Sequence, residues 1–145
     1  MALAKFREGI TLDDINRNWI PRIDQTIGLR VTAMDAGNLT AELTVHEGIT
    51  QPHGILHGGV SCVIGESLGS VAGNLCLHDP GLAVVGQNLQ ALHLRPARLG
   101  TQLEARVEAL HMGKRSQIWE TQIKEKATGK LVAQITLTVA VIERM

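Results

Sequence analysis

The chain has 145 residues, 44% of them apolar and 19% charged, and its fourteen basic side chains balance fourteen acidic ones. This length is typical of one domain, and we expect residues 1–145 to bury a single core without disulfides or a structural metal. Zero net charge argues against a protein that coats nucleic acid or an anionic membrane. Two Trp, one Phe and no Tyr leave few platforms on which nucleobases could stack.

The N-terminal segment mixes charges from the start and has no continuous apolar run, so no secretory signal is predicted. No stretch is long and apolar enough to suggest a membrane span. Cys62 and Cys76 lie within one predicted helix, too far apart to form a disulfide without bending it. Two separate thiols and no signal predict a reducing compartment, the cytoplasm.

A short helix is predicted over about residues 11–20. Thr11 followed by Asp13 and Asp14 is typical of a helix start, and the helix is expected to end before Pro21.

Strands dominate the rest of the chain. Alternation of apolar and polar side chains predicts strands at residues 39–45, 101–111 and 131–141, and weaker alternation predicts strands at 26–34, 84–94 and 115–125. Gly113 and residues 127–129 supply turns for hairpins. The late strands are therefore expected to form an antiparallel meander with one buried face.

Residues 58–77 lack this alternation and instead match a helix. On a helical wheel one stripe is apolar, comprising Val60, Ile64, Leu68, Val71 and Leu75. The stripe beside it is small, comprising Ser61, Gly65, Gly69, Ala72 and Cys76. Each glycine costs a helix ~1 kcal/mol relative to Ala, which is tolerable where another element must approach the helix backbone closely. We therefore predict an α+β fold, a curved antiparallel sheet wrapped around a long glycine-rich central helix.

The third face of this helix carries a candidate catalytic carboxylate, Glu66, among Gly59, Cys62, Ser70 and Gly73. Glu66 has no Lys or Arg within four residues. If it is buried, it needs a partner, a raised pKa or a function; the alternative is that it simply faces solvent or an interface.

His57, Gly58 and Gly59 begin the same helix, where backbone N–H groups are unpaired and favour negative charge. Glycines there let a substrate oxygen approach these donors, as an oxyanion hole requires, although Gly-Gly also occurs as ordinary helix punctuation. His57 and Glu66 are ~13 Å apart along one helix, so a two-fold partner could bring them together more easily than one subunit. We find no serine nucleophile elbow, metal-ligand spacing or phosphate-binding loop, and we expect no metal and no separate cofactor.

The run from Gln51 to Gly59, followed by Glu66 to Ser70, resembles the hotdog-fold acyl-CoA thioesterases. It is most similar to the branch of aryl-CoA, 1,4-dihydroxy-2-naphthoyl-CoA and phenylacetate-pathway thioesterases. The likeness spans about residues 23–141, including His93-Leu-Arg95-Pro96 and the stretch 113–119. It implies a hotdog fold and hydrolysis of an aryl- or medium-chain acyl-CoA to a free acid and coenzyme A.

The resemblance also implies roles for individual residues. Glu66 would act as nucleophile or as general base on water, and the Gly58 N–H, assisted by His57, would polarise the thioester carbonyl. Gln51 would bind near that carbonyl or the attacking water, and Ser70 would place the water or support Glu66. His93 would line the acyl pocket, with Gly59 and Cys62 as further substrate contacts. The site would be shared across a homodimer, with a homotetramer as the expected assembly.

Coenzyme A carries phosphates, for which guanidinium groups are well suited. Candidate contacts are Arg95, Arg98, Lys114 and Arg115, and ordinary solvated strand ends are the alternative. Many relatives carry Arg-Arg where this chain has Lys114-Arg115. Two other functions stay open: a hotdog hydratase or dehydratase using His57 and Glu66 as an acid–base pair, and a non-catalytic acyl-CoA binding protein.

Overall fold

The computed structural model describes residues 3–20 and 22–145. Six strands form one antiparallel sheet in the order β1-β2-β4-β5-β6-β3. In chain order they are β1 (Arg30–Met34), β2 (Leu39–Thr44), β3 (Leu82–His93), β4 (Gln102–Met112), β5 (Ser116–Glu125) and β6 (Leu131–Glu143). The predicted meander β4-β5-β6 is confirmed, and the alternating residues of β2, β4 and β6 bury one face as expected.

The predicted glycine-rich helix is confirmed as α3 (Gly58–Leu75). It packs against β3, β4, β5 and β6. A Cβ atom on Gly65 would lie 2.2 Å from Ile135 Cγ2, and one on Gly69 would lie 2.7 Å from Leu137 Cδ2. The glycines therefore allow β6 to approach the helix backbone, because any larger side chain would hold the two elements apart.

Two details of α3 differ from the prediction. The helix ends at Leu75 rather than at Leu77, because the N–H groups of Cys76 and Leu77 turn back to the Gly73 and Asn74 carbonyls. Gly73 does not share the open face with Glu66. It is buried, and a Cβ there would lie 2.5 Å from Gln117 Oε1 in the sheet.

The N-terminal helix begins as predicted, since Thr11 Oγ1 accepts a hydrogen bond from the Asp14 N–H at 3.1 Å. It comprises α1 (Leu12–Asp14) and a π-helical turn (Ile15–Trp19), which the Ile20 N–H closes by donating to the Ile15 carbonyl. The predicted stop at Pro21 lies outside the described residues.

The predicted strand 26–34 is wrong over its first residues. A second helix, α2 (Ile23–Ile27), occupies them, and β1 begins only at Arg30. Gly28 ends α2 in the left-handed conformation (φ 85°) and donates to the Asp24 and Gln25 carbonyls. This is a common glycine helix cap, and it separates helix from strand at a point where the apolar pattern is continuous.

Candidate active site

The start of α3 presents one free backbone donor. The His57 Nδ1 accepts the Gly59 N–H at 2.9 Å, and the Val60 N–H donates to the His57 carbonyl. The Gly58 N–H has no acceptor among the described residues. Because Nδ1 is the acceptor, a neutral His57 ring carries its proton on Nε2, which is then a second donor beside Gly58. The Gly59 N–H is already used, so Gly59 contributes only its lack of a side chain.

A cleft of about 350 Å³ lies at this helix start, and its walls include Gln51, Gly58, Ser61, His93 and Arg95. The His93 ring covers Gly58, for a Cβ on Gly58 would lie 3.0 Å from His93 Cε1. The preceding loop is fixed by backbone bonds, the His57 N–H to the Ile49 carbonyl and the Leu56 N–H to the Ala97 carbonyl.

The amide of Gln51 is oriented within this loop. Its Oε1 accepts the His53 N–H at 2.5 Å, so its Nε2 is left as the group that can donate. Together with the Gly58 N–H, this amide offers hydrogen-bond donors to a substrate oxygen in the cleft, while the His57 ring caps the helix start and is not part of the cleft wall. That arrangement can stabilise the negative charge that develops on a carbonyl oxygen during acyl transfer.

Glu66 lies on the open face of α3 and is exposed in the single chain. Of the two possibilities that the sequence leaves for Glu66, buried or exposed, the single chain therefore shows the second. The Glu66 carboxylate rests against the backbone of β3. A Cβ on Gly86 would lie 2.0 Å from Glu66 Oε1 and 3.0 Å from Glu66 Cδ. The register of β3 against β6 shifts between Gly86 and Asn88, so the carboxylate lies at a β-bulge.

Two shallow clefts border Glu66. Cys62 lies in one of them, together with Ile23, Val63, Ser67 and Leu89. Ser70 lies in the other, whose walls also include Trp19, Asp24, Ser67, Val71 and Asn74. The structure therefore places Glu66, Ser70 and Cys62 on one surface, as the helical spacing indicates.

The single chain does not bring Glu66 to the donors at the helix start. Glu66 is absent from the walls of the Gln51–Gly58 cleft, and eight residues of helix, ~12 Å, separate it from Gly58. Arg95 lines that cleft, whereas Arg98, Lys114 and Arg115 do not. All four basic residues are exposed. Among the described residues no group of three His, Cys, Asp or Glu side chains could hold a metal ion.

The chain belongs to the Thioesterase superfamily, whose family profile matches residues 53–132. It is 34% identical over 137 residues to a 1,4-dihydroxy-2-naphthoyl-CoA hydrolase from Escherichia coli, covering 94% of this chain and 98% of that protein. It is 36% identical over 121 residues to the proofreading thioesterase EntH of Klebsiella pneumoniae, covering 83% and 87%.

Solved structures give the same result. A crystal structure of a thioesterase from Haemophilus influenzae matches with a TM-score of 0.88 at 34% identity, covering 95% of this chain and 94% of that one. The hotdog fold expected from the resemblance is confirmed, and the protein is a thioester hydrolase. No helix in the described part of the chain is long and apolar enough to cross a membrane.

Three residues of these surfaces were missed by the sequence reasoning. From the sequence, Ser61 belongs only to the stripe of small residues on α3. In the structure it also lines the Gln51–Gly58 cleft, with 2% of its surface exposed. Gly86 gave a usable signal, since a glycine within a strand often marks a bulge or a close approach. Asp24 gave none, because its burial depends on α2, which was not predicted.

Proposed function

We propose that the protein hydrolyses the thioester of an aryl- or medium-chain acyl-CoA, with Glu66 as the catalytic carboxylate. The observation that supports this most directly is the pair of donors at the start of α3, the Gly58 N–H and His57 Nε2, in a chain of the thioesterase family. The E. coli relative is named as a hydrolase of a coenzyme A thioester and the Klebsiella relative as a thioesterase, so a coenzyme A thioester is the first substrate to test.

In the reaction the thioester oxygen accepts hydrogen bonds from Gly58 and from His57, which makes the carbonyl carbon more electrophilic. If Glu66 acts as a general base, it takes a proton from water while that water attacks the carbon. The C–S bond then breaks and the proton passes to the thiolate. If Glu66 acts as nucleophile, its carboxylate attacks the carbonyl carbon and the C–S bond breaks, so that coenzyme A leaves as a thiolate and a mixed anhydride remains. Water then cleaves the anhydride to the free acid and the Glu66 carboxylate, and the proton that this water loses neutralises the thiolate.

A single turnover in oxygen-18 water separates the two routes. The general-base route incorporates the label into the released acid in the first turnover. The nucleophile route, with water attacking the Glu66 carbonyl of the anhydride, leaves the first acid unlabelled.

We further propose that the complete site forms between two subunits, Glu66 from one and Gln51, His57 and Gly58 from the other. The long edge strand β3 supports this, because within the described residues it pairs only with β6 and its other edge has no neighbour in the sheet. Leu92 and Val85 on this strand are 58% and 37% exposed, an apolar surface suited to a second copy of the chain. Arg95 of the donor cleft would then contact the phosphates of coenzyme A, with Arg98, Lys114 and Arg115 as outer contacts.

Replacing the carboxylate tests the catalytic role. Glu66→Gln should reduce kcat by several orders of magnitude in a thiol-release assay over aryl-, short- and long-chain acyl-CoAs. Glu143→Gln, at an exposed glutamate on the end of β6, is the matched control and should keep wild-type turnover. Near wild-type hydrolysis by Glu66→Gln would refute the mechanism. Water addition to an enoyl-CoA would indicate a hydratase, and tight binding without turnover of any acyl-CoA would indicate a binding protein.

Mixing two inactive variants tests the shared site. Glu66→Gln and Gln51→Ala subunits, unfolded together and refolded, should recover about a quarter of wild-type activity, because half the dimers are mixed and each has one intact site of two. If both residues came from the same subunit, the mixture would remain as inactive as its components.

A further inference from the structure

The N-terminal segment forms one wall of the cleft that contains Glu66 and Ser70. This cleft of about 290 Å³ is bounded on one side by α3 and on the other by Trp19 and Asp24. Neither of these two residues belongs to the helix or strands that carry the proposed catalytic groups. The cleft therefore places an aromatic ring and a carboxyl group near Glu66, where the acyl group of a bound thioester would lie.

Trp19 is held in place by the irregular segment that precedes α1, through Arg7. The Arg7 guanidinium lies 5.9 Å from the centre of the Trp19 ring. The same guanidinium donates to the Asn74 and Leu77 carbonyls at 2.8 and 2.6 Å, and the Arg7 N–H donates to the Leu75 carbonyl. A cation over an aromatic face is attractive, and these carbonyls at the end of α3 carry partial negative charge. Trp19 is thus tied to the helix whose face it covers.

Asp24 is buried in this wall, at 5% exposure. One of its oxygens accepts a hydrogen bond from Ser67 Oγ at 2.5 Å, and no Lys, Arg or His of the described chain forms an ion pair with it. Burial raises the pKa of the Asp24 carboxyl, and the Ser67 hydrogen bond partly opposes that rise. The remaining lone pairs of this buried carboxyl group border the cleft, where solvent or a ligand can donate hydrogen bonds to them.

We propose that Asp24 is a specificity-determining residue that selects acyl groups bearing a hydroxyl, which donates a hydrogen bond to its carboxyl group. This rests on the proposed function, since it assumes that the thioester carbonyl lies at Glu66. An acyl group that fills the cleft displaces its water. A hydroxyl replaces the lost hydrogen bond, whereas an apolar acyl group leaves the carboxyl group unsatisfied.

The second cleft beside Glu66 is the competing position for the acyl group. Its walls include Ile23, Cys62, Val63 and Leu89, and Leu89 lies on the edge strand β3. The proposed dimer would cover that edge, which leaves the Trp19–Asp24 cleft as the open position. An acyl group in the competing cleft would contact apolar walls and would show no preference for a hydroxyl.

The test uses benzoyl-CoA and its 2-, 3- and 4-hydroxy derivatives, which match in size and differ in one donor. We expect at least one hydroxy isomer to exceed benzoyl-CoA in kcat/KM by roughly 10- to 100-fold in the wild-type enzyme. Asp24→Asn should abolish this preference, so that the ratio of kcat/KM between the preferred hydroxy isomer and benzoyl-CoA falls to about one. In that variant the amide oxygen can accept from Ser67, which leaves the NH₂ group where the substrate hydroxyl would donate.

Ser67→Ala is the control for a purely structural role. It removes the link between α2 and α3 but keeps the carboxyl group, so the preference should persist. Asp24→Leu, near in size and apolar, replaces Asp24→Asn if the latter fails to fold, and should also remove the preference.

The role of Asp24 is overturned if the wild-type enzyme shows equal kcat/KM for all members of the series. It is also overturned if the preference survives in the Asp24 variants. Neither result contradicts thioester hydrolysis. A preference lost equally in Ser67→Ala and Asp24→Asn assigns the residue to holding α2 and also overturns the proposal. Absence of thiol release from every member of this series and of the broader acyl-CoA panel overturns the proposed function itself.

Discussion

Replacing Gly86 by alanine should separate activity from stability. Gly86 has no positive φ, so alanine can adopt the same backbone conformation without strain. The added Cβ would nevertheless lie 2.0 Å from Glu66 Oε1, where ordinary van der Waals contact requires about 3.4 Å or more. The carboxylate must therefore move by more than ~1 Å. A displacement of that size costs a well-oriented reaction about 100-fold in rate.

The fold should tolerate this change because Glu66 is exposed and can rotate toward solvent. We expect kcat to fall about 100-fold with acyl-CoA substrates, while Tm stays within a few degrees of wild type. Gly81→Ala is the matched control, since among the described residues its Cβ would meet only the Asp79 carboxylate oxygen, at 3.2 Å, and it should keep full activity.

Two results would refute this reasoning. If Gly86→Ala retained wild-type kcat, β3 would not determine where the Glu66 carboxylate lies during the reaction. If kcat fell together with a large drop in Tm, the loss would come from unfolding rather than from a displaced carboxylate.

Three further predictions concern stability and reactivity. Gly65→Ala should lower the unfolding free energy by about 1–3 kcal/mol in urea titrations, because its Cβ would overlap Ile135; unchanged stability would mean that β6 can retreat from α3. Asp24 holds its proton to higher pH in the folded chain than in the unfolded one, so its contribution to stability falls as the pH rises above about 3.8. Asp24→Asn should therefore gain stability relative to wild type between pH 4 and pH 7, and a constant difference in denaturant titrations would contradict this. Burial raises the pKa of the Cys76 thiol to about 11, so iodoacetamide at pH 8 should label it about 100-fold more slowly than a cysteine of ordinary pKa; rapid labelling in mass spectrometry would contradict this.

The parts of the fold that sequence could predict are those with a repeating pattern. Side chains alternate along β4 and β6, and α3 combines an apolar stripe with a glycine stripe, so these elements follow from local periodicity. The helix α2 could not be predicted in this way. Its five residues continue into the apolar pattern of β1, and the boundary depends on the backbone conformation of Gly28 alone.

The residues of the candidate site also differ in how far the sequence could predict them. Gly58 and Glu66 could be identified because helix ends and helix faces follow from spacing along the chain. Gly86 could be marked only as a possible bulge and Asp24 could not be marked at all, since the role of each depends on a residue far away in sequence. Gly86 matters through Glu66, and Asp24 through Ser67, contacts that exist only once the sheet and α2 have packed on α3.

The position of β6 in the sheet has a consequence for how the chain folds during synthesis. It is the last strand in chain order, yet it lies between β5 and β3 and packs on the glycines of α3. While a ribosome is still making residues 131–143, β3 has no partner strand and α3 lacks the surface that its glycines fit. The emerging chain must keep the apolar face of α3 from misassociating until residues 131–143 have left the ribosome, so the sheet and the helix can complete their packing only once β6 is available.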